Sequence, residues 1–212
     1  MKKTLSQITT VNPTTGEDIT TYLAMDRNQV FELVRKAKRA FPEWKKDYEK
    51  RRSYVYNLIE YLKKNKVNLA RVATDEMGKT IKESIGEVEK CAWVCRYYAE
   101  KAQFFLEDEL VETEATKSKI SYRPLGIVLA VMPWNYPFWQ VFRFAAPALM
   151  AGNVCLLKHA SNVPGSALAI QEIFEKGGFP IGAFSTLLIQ SDQVASVIED
   201  SRVKAVTLTG SG

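Results

Sequence analysis

The sequence predicts an α/β fold in which N-terminal helices lead into a Rossmann-like, doubly wound parallel sheet. Three observations carry that prediction. The N-terminal half repeats apolar side chains at helical three-and-four spacing, the second half holds four short apolar runs, and helical segments fill the gaps between those runs. Strands alternating with helices imply right-handed βαβ crossovers and strands buried on both faces.

Taken in order, residues 8–23 predict a hairpin, because Asn12-Pro13-Thr14-Thr15-Gly16 gathers turn formers between β-branched runs. Asp26 then caps a helix expected over 26–49, with Val30, Phe31, Val34, Ala37 and Phe41 inward. A second helix from about Lys50 carries Val55, Leu58, Ile59 and Leu62. Asn65 is expected to interrupt it before a third helix over 67–77, and Gly78 breaks the pattern again. A long helix over about 80–106 follows, with Ile85, Val88, Ala92, Cys95 and Ala99 on its inner face. Alternation at 117–124 predicts an edge strand.

The apolar runs are 127–131, 154–157, 185–189 and 203–209, with helices expected at 138–150, 164–176 and 192–199. The organisation is thus a hairpin and helices over 1–116, an edge strand over 117–124 suited to oligomerisation, and a nucleotide-binding part over 125–212. In such sheets ligands bind beyond the carboxyl ends of the strands. The loops after those runs are therefore the candidate site.

Composition narrows the partners. The 29 basic and 24 acidic residues give a net charge of +5 with no basic run longer than a tripeptide, which suits a phosphate-bearing small molecule and not nucleic acid. No run approaches the ~20 apolar residues of a membrane span, and the start lacks the apolar core of a secretory signal. Three cysteines are too few and oddly counted for a disulfide framework. A cytoplasmic protein is expected.

The loops hold chemistry. After the first run, Met132-Pro-Trp-Asn-Tyr-Pro137 stiffens a turn with two prolines and presents an aromatic and a carboxamide. After the second stands Lys158-His159-Ala160-Ser161, a cation at a strand end. His159, the only histidine, has no metal partners nearby and reads as a surface turn residue. The fourth run ends in Thr209-Gly210-Ser211-Gly212, whose backbone N–H groups suit a pyrophosphate. Cys91, Cys95 and Cys155 sit in apolar contexts and read as inert packing residues. No metal site is expected.

In this order the segments 11–17, 76–79, 124–126, 132–137, Lys158 and 207–211 resemble the N-terminal, cofactor-binding part of the aldehyde dehydrogenase superfamily, nearest its succinate-semialdehyde members. The resemblance implies oxidation of an aldehyde to an acid: a cysteine thiolate attacks the carbonyl, a hydride passes to NAD or NADP, and a glutamate-activated water releases the product. It implies that Asn135 stabilises the oxyanion. Met132, Pro133 and Trp134 would lie beside the cofactor, Lys158 at its ribose, and Gly210 and Ser211 at its pyrophosphate.

Two departures from the family pattern matter. Ser161 stands where many NAD-preferring members carry a glutamate, so nothing repels a 2′-phosphate and NADP is expected to be accepted. The loop after the third run, Ile189–Gln193, lacks the usual glycine-rich turn. The resemblance also implies that Arg143, with Tyr136 and Trp139 as aromatic walls, binds the carboxylate of an acidic small-molecule aldehyde. No cysteine matches the family's nucleophile. The expectation is a part of a longer chain, or one half of a split enzyme working with a companion chain, in a homo-oligomer. A nucleotide-binding or assembly module without catalysis remains the alternative.

Overall fold

Turn chemistry sets the N-terminal hairpin. Strands β1 (Gln7–Val11) and β2 (Asp18–Leu23) pair antiparallel, and at the turn Asn12 Oδ1 accepts the Thr14 and Thr15 N–H groups at 2.9 and 3.3 Å. The computed structural model describes residues 6–210.

Helix α1 (Arg27–Trp44) starts at a capping box of Asp26 and Gln29. It stops short of the expected Glu49 because Asp47 caps a new helix by accepting the Lys50 N–H at 2.9 Å. That helix, α2 (Tyr48–Met77), runs unbroken through Asn65, where an interruption is expected from sequence. The Asn65 side chain donates back to the Tyr61 carbonyl at 2.9 Å, and Leu62, Leu69, Ala70 and Ala73 are buried on either side of it. Packing of that face outweighs the few tenths of a kcal/mol, roughly, by which asparagine disfavours a helix. Gly78, at φ +82°, closes α2 in the left-handed region that glycine tolerates best.

Helix α3 (Ile81–Phe105) begins at a second capping box, Thr80 with Glu83. Beyond it, β3 (Glu109–Val111) pairs antiparallel with β4 (Ser118–Ile120), a shorter strand than the 117–124 expected. All three β3 residues are exposed, so no inward-facing periodicity marks this strand in the sequence.

The remaining elements are β5 (Ile127–Met132), α4 (Trp139–Met150), β6 (Val154–His159), α5 (Pro164–Lys176), β7 (Phe184–Thr186), a 3₁₀ turn at Ser191–Gln193 running into α6 (Val194–Ile198), and β8 (Val203–Leu208). Their sheet is parallel throughout, in the order β7-β6-β5-β8. The third strand ends at Thr186, not at the expected 189, because the Ile189 N–H turns back onto the Leu187 carbonyl at 3.0 Å. The helix expected over 192–199 is divided by the 3₁₀ turn.

β6 is buried at every position. Crossover helices α4 and α5 cover one face, with α2 and α3 packed outside them, and α1 lies against β5, β6 and β7. Phe174 of α5 stacks on Phe142 of α4 and on Phe184 of β7, with centroids at 5.5 and 4.1 Å, fastening the crossovers to the sheet. β8 departs from the buried run expected: its residues alternate, and Lys204, Val206 and Leu208 are exposed, Leu208 to 74%. One face of the fourth strand thus has no crossover helix over it among the described residues. No helix among them is long and apolar enough to cross a membrane.

Candidate functional site

The chain climbs outward from β5 to β6 to β7, then returns across β5 to place β8 on its other side. Strand order therefore reverses between β5 and β8, and the loops leaving such neighbours diverge and open a crevice. Register brings three of the expected segments level at this edge. Val131 pairs with Lys158 on one side and Leu208 on the other, Met132 pairs with His159, and the Thr209 N–H donates to the Val131 carbonyl at 3.0 Å.

The β5–α4 turn is plugged at both ends and open in the middle. Met132, Pro137 and Phe138 are buried and Pro133 is half-buried, whereas Trp134, Asn135 and Tyr136 face outward, Trp134 and Tyr136 to 49% and 51%. Asn135 Oδ1 accepts the Tyr136 N–H at 3.1 Å. That commits the oxygen to the backbone and leaves the two Nδ2 protons as donors.

Helix α4 has no side-chain cap of its own. Its first N–H groups, Phe138 and Trp139, donate instead to Glu87 Oε1 of α3 at 2.7 and 2.8 Å. The other oxygen of Glu87 pairs with Lys79, whose Nζ also lies 4.5 Å from the Tyr136 ring centroid. Helix α5 repeats the device. Lacking its own cap, it donates the Gly165 and Ser166 N–H groups, both at 2.7 Å, to buried Glu76 of α2. Burial holds the Glu76 carboxyl above its ordinary range. Both helix N-termini at this edge are thus occupied by protein carboxylates, which an incoming phosphate would have to displace.

Lys158 is 6% exposed and burial lowers its pKa. Among the described residues no carboxylate pairs with it. Ser161, three residues on, is exposed at the start of the loop into α5, and Gly210 is exposed beyond β8; Ser211 lies outside the described residues.

His159 overturns the surface reading. It is 4% exposed, its Nδ1 accepts the Ala160 N–H at 2.9 Å, and its Nε2 lies 2.8 Å from the Pro137 carbonyl. The ring proton therefore sits on Nε2 and donates to Pro137. Burial pushes the imidazole down to about 4. A histidine that ends a parallel strand beside another turn is covered by that turn, which its local sequence does not reveal.

On the outer side, Trp139 and Arg143 lie one helical turn apart on α4, with Arg143 exposed and Lys90 Nζ of α3 4.0 Å from the Trp139 ring centroid. Opposite, the loop after β7 is engaged elsewhere: Gln193 accepts the Gln190 N–H at 3.2 Å and donates to the Met25 carbonyl at 3.0 Å. Cys91, Cys95 and Cys155 are all buried, and burial pushes each thiol upward. Among the described residues no cluster of three or more His, Cys, Asp or Glu side chains is placed to hold a metal ion.

Sequence reasoning gave Glu76, Lys79, Glu87 and Lys90 no role at this edge and set His159 on the surface. One signal was available: Glu76 and Glu87 fall on the inner faces of α2 and α3, where an unpaired carboxylate would be costly.

Comparison with known proteins follows the same outline. A profile of the aldehyde dehydrogenase family matches residues 1–212. The chain is 51% identical to a probable NADP(+) succinate-semialdehyde dehydrogenase of Synechocystis sp., over 96% of this chain and 45% of that protein. It is 45% identical to the NADP(+) succinate-semialdehyde dehydrogenase of Mycobacterium leprae, over 96% and 46%. The crystal structure of succinic semialdehyde dehydrogenase from Streptococcus pyogenes in complex with NADP+ superposes with a TM-score of 0.93 at 35% identity, covering 96% of this chain and 45% of that one. The chain spans about half the length of the curated relatives it matches.

Proposed function

The chain belongs to the aldehyde dehydrogenase family, and on that premise we propose that it supplies the nucleotide-binding and oxyanion-stabilising half of an NADP-dependent oxidation of an acidic aldehyde, of the succinate semialdehyde kind, to the carboxylic acid. The observation that carries this reading is Lys158: a cation held 6% exposed at the sheet's edge, without a carboxylate partner among the described residues, level with the Met132–Pro137 turn. Burial lowers the Lys158 pKa, and an anion placed at its ammonium would favour the charged form.

These residues suit NADP. Lys158 would meet the 2′-phosphate or the ribose hydroxyls, Ser161 offers no carboxylate to repel it, Met132, Pro133 and Trp134 would flank the nucleotide, and Gly210 with Ser211 would receive the pyrophosphate. NAD fits the same residues with one charge contact fewer. When bound, the nicotinamide supplies the hydride acceptor. Asn135 donates from Nδ2 to the oxygen of the aldehyde as it gains negative charge, a contact worth about 3 kcal/mol in comparable sites. Tyr136 and Trp139 wall the aldehyde, and Arg143 binds its carboxylate, with the Lys90 charge nearby adding to the attraction.

None of the three cysteines is accessible, and with no nucleophile among them we take the nucleophile to come from outside residues 1–212, in the same polypeptide or in a companion chain. The exposed β3–β4 ribbon, with Leu110 and Ile120 on its surface, suits strand pairing in a homo-oligomer. Unpaired thiols suit the reducing cytoplasm. NADPH absorbance with succinate semialdehyde tests the proposal. The complete enzyme, whether one longer polypeptide or this chain with a companion, should turn over and residues 1–212 alone should not; nucleotide binding without turnover in any pairing would instead favour a non-catalytic module.

A further inference from the structure

Asparagine is among the best helix N-cap residues, and it caps by accepting the N–H of the residue two or three positions on. Asn135 lies three residues before Phe138, the N-cap residue of α4, and the positions two and three beyond Asn135 are Pro137, which has no N–H, and Phe138 itself. A free Phe138 N–H could compete for the Asn135 carboxamide oxygen, but it is already taken, together with that of Trp139, by Glu87. Asn135 Oδ1 rests instead on the adjacent Tyr136 N–H.

The arrangement is costly for a simple cap. The Glu87 side chain is 1% exposed, and burying a carboxylate demands compensation from Lys79 and from two N–H groups of a distant helix. From the other side, His159 Nε2 holds the Pro137 carbonyl. Residues 137–139 are thereby fixed by α3 and β6 together, while 134–136 stay exposed.

We propose that Glu87 is a positioning residue: by occupying the N–H that Asn135 would otherwise cap, it keeps the Asn135 carboxamide available to the substrate oxygen, with His159 fixing the same turn from the opposite side. The catalytic consequence rests on the proposed aldehyde oxidation; the competition for the N–H does not.

Amide hydrogen exchange on the 212-residue protein reads the competition directly. The Phe138 and Trp139 amides should both be protected in the wild type. In Glu87→Leu the Trp139 amide should exchange roughly tenfold faster or more, while Phe138 stays protected because Asn135 takes over its N–H. Adding Asn135→Ala should then release Phe138 as well. Equal exposure of Phe138 in the single and double variants would overturn the proposal.

In the native polypeptide, Glu87→Leu should lower kcat about a hundredfold and leave KM for NADP within about threefold. Glu87→Gln, which keeps an acceptor oxygen and the shape, should recover most of kcat and guards against a folding defect. Equal kcat losses in the Gln and Leu variants, or none in either, would refute the positioning role. A wild-type polypeptide that oxidises no aldehyde would instead refute the functional reading and leave the exchange result to stand by itself.

Discussion

His159 links the stability of this protein to pH in a way that one substitution isolates. It is the only histidine in the chain, its pKa is pushed down to about 4 from an ordinary 6.5, and the cause is burial beneath the Met132–Pro137 turn. The native state therefore binds fewer protons than the unfolded state between those values. Its contribution to stability is intact above about pH 6.5, falls as the pH drops toward 4, and is constant below. A difference of about 2.5 units corresponds to about 3 kcal/mol in full, of which about 2 kcal/mol is lost between pH 7.5 and pH 5.

Glu76 works in the opposite direction, since its raised pKa makes its contribution grow as pH falls. A comparison of variants cancels it. His159→Gln keeps a side-chain N–H near the Nε2 position but does not titrate. Urea unfolding followed by tryptophan fluorescence, at half-unit steps from pH 7.5 to 5, gives ΔG for both proteins. The wild-type curve should fall about 2 kcal/mol further than that of the variant over this range, at constant m. Parallel curves would show that the imidazole is not buried against Pro137, and would remove His159 as an anchor of the turn.

Three further outcomes are expected. On the proposed nucleotide placement, Ser161→Glu would set a carboxylate against the 2′-phosphate and should weaken NADP binding about a hundredfold while sparing NAD, as read by fluorescence titration. Gly182→Ala should cost about 3 kcal/mol or more in urea unfolding, because φ is +92° and a Cβ would stand 2.4 Å from the Lys36 carbonyl oxygen of α1, a backbone atom that has little room to yield. Phe142→Ala removes a fully buried ring stacked on Phe174 and should cost about 3–5 kcal/mol, with the thermal midpoint falling accordingly.

Much of the architecture was legible because local chemistry and tertiary packing agree. Asp26 announces the first helix, and the apolar runs at 127–131 and 154–157 read as buried parallel strands, which they are. The misreadings arise where distant partners decide. Asn65 looks like a breaker until the packed faces of α2 on both sides of it are known.

At the candidate site, the composition of the Met132–Pro137 turn and the lysine ending an apolar run drew attention to loops that the register brings level at one sheet edge. Their supports were hidden: Glu87 reaches Phe138 across 51 residues of sequence and His159 reaches Pro137 across 22. Helical periodicity places Glu87 on an inner face but says nothing of the N–H groups it meets there. β8 reads as a buried strand from composition, yet burial depends on a covering layer that its own residues do not encode.

The reading of this edge as a site for an acidic aldehyde is tested most directly by Arg143→Ala in the native polypeptide. KM for succinate semialdehyde should rise about thirtyfold or more, the cost of removing one partner of a charge-assisted pair, while KM for the uncharged aldehyde butanal changes by less than about threefold. Equal changes for the two aldehydes would contradict the account.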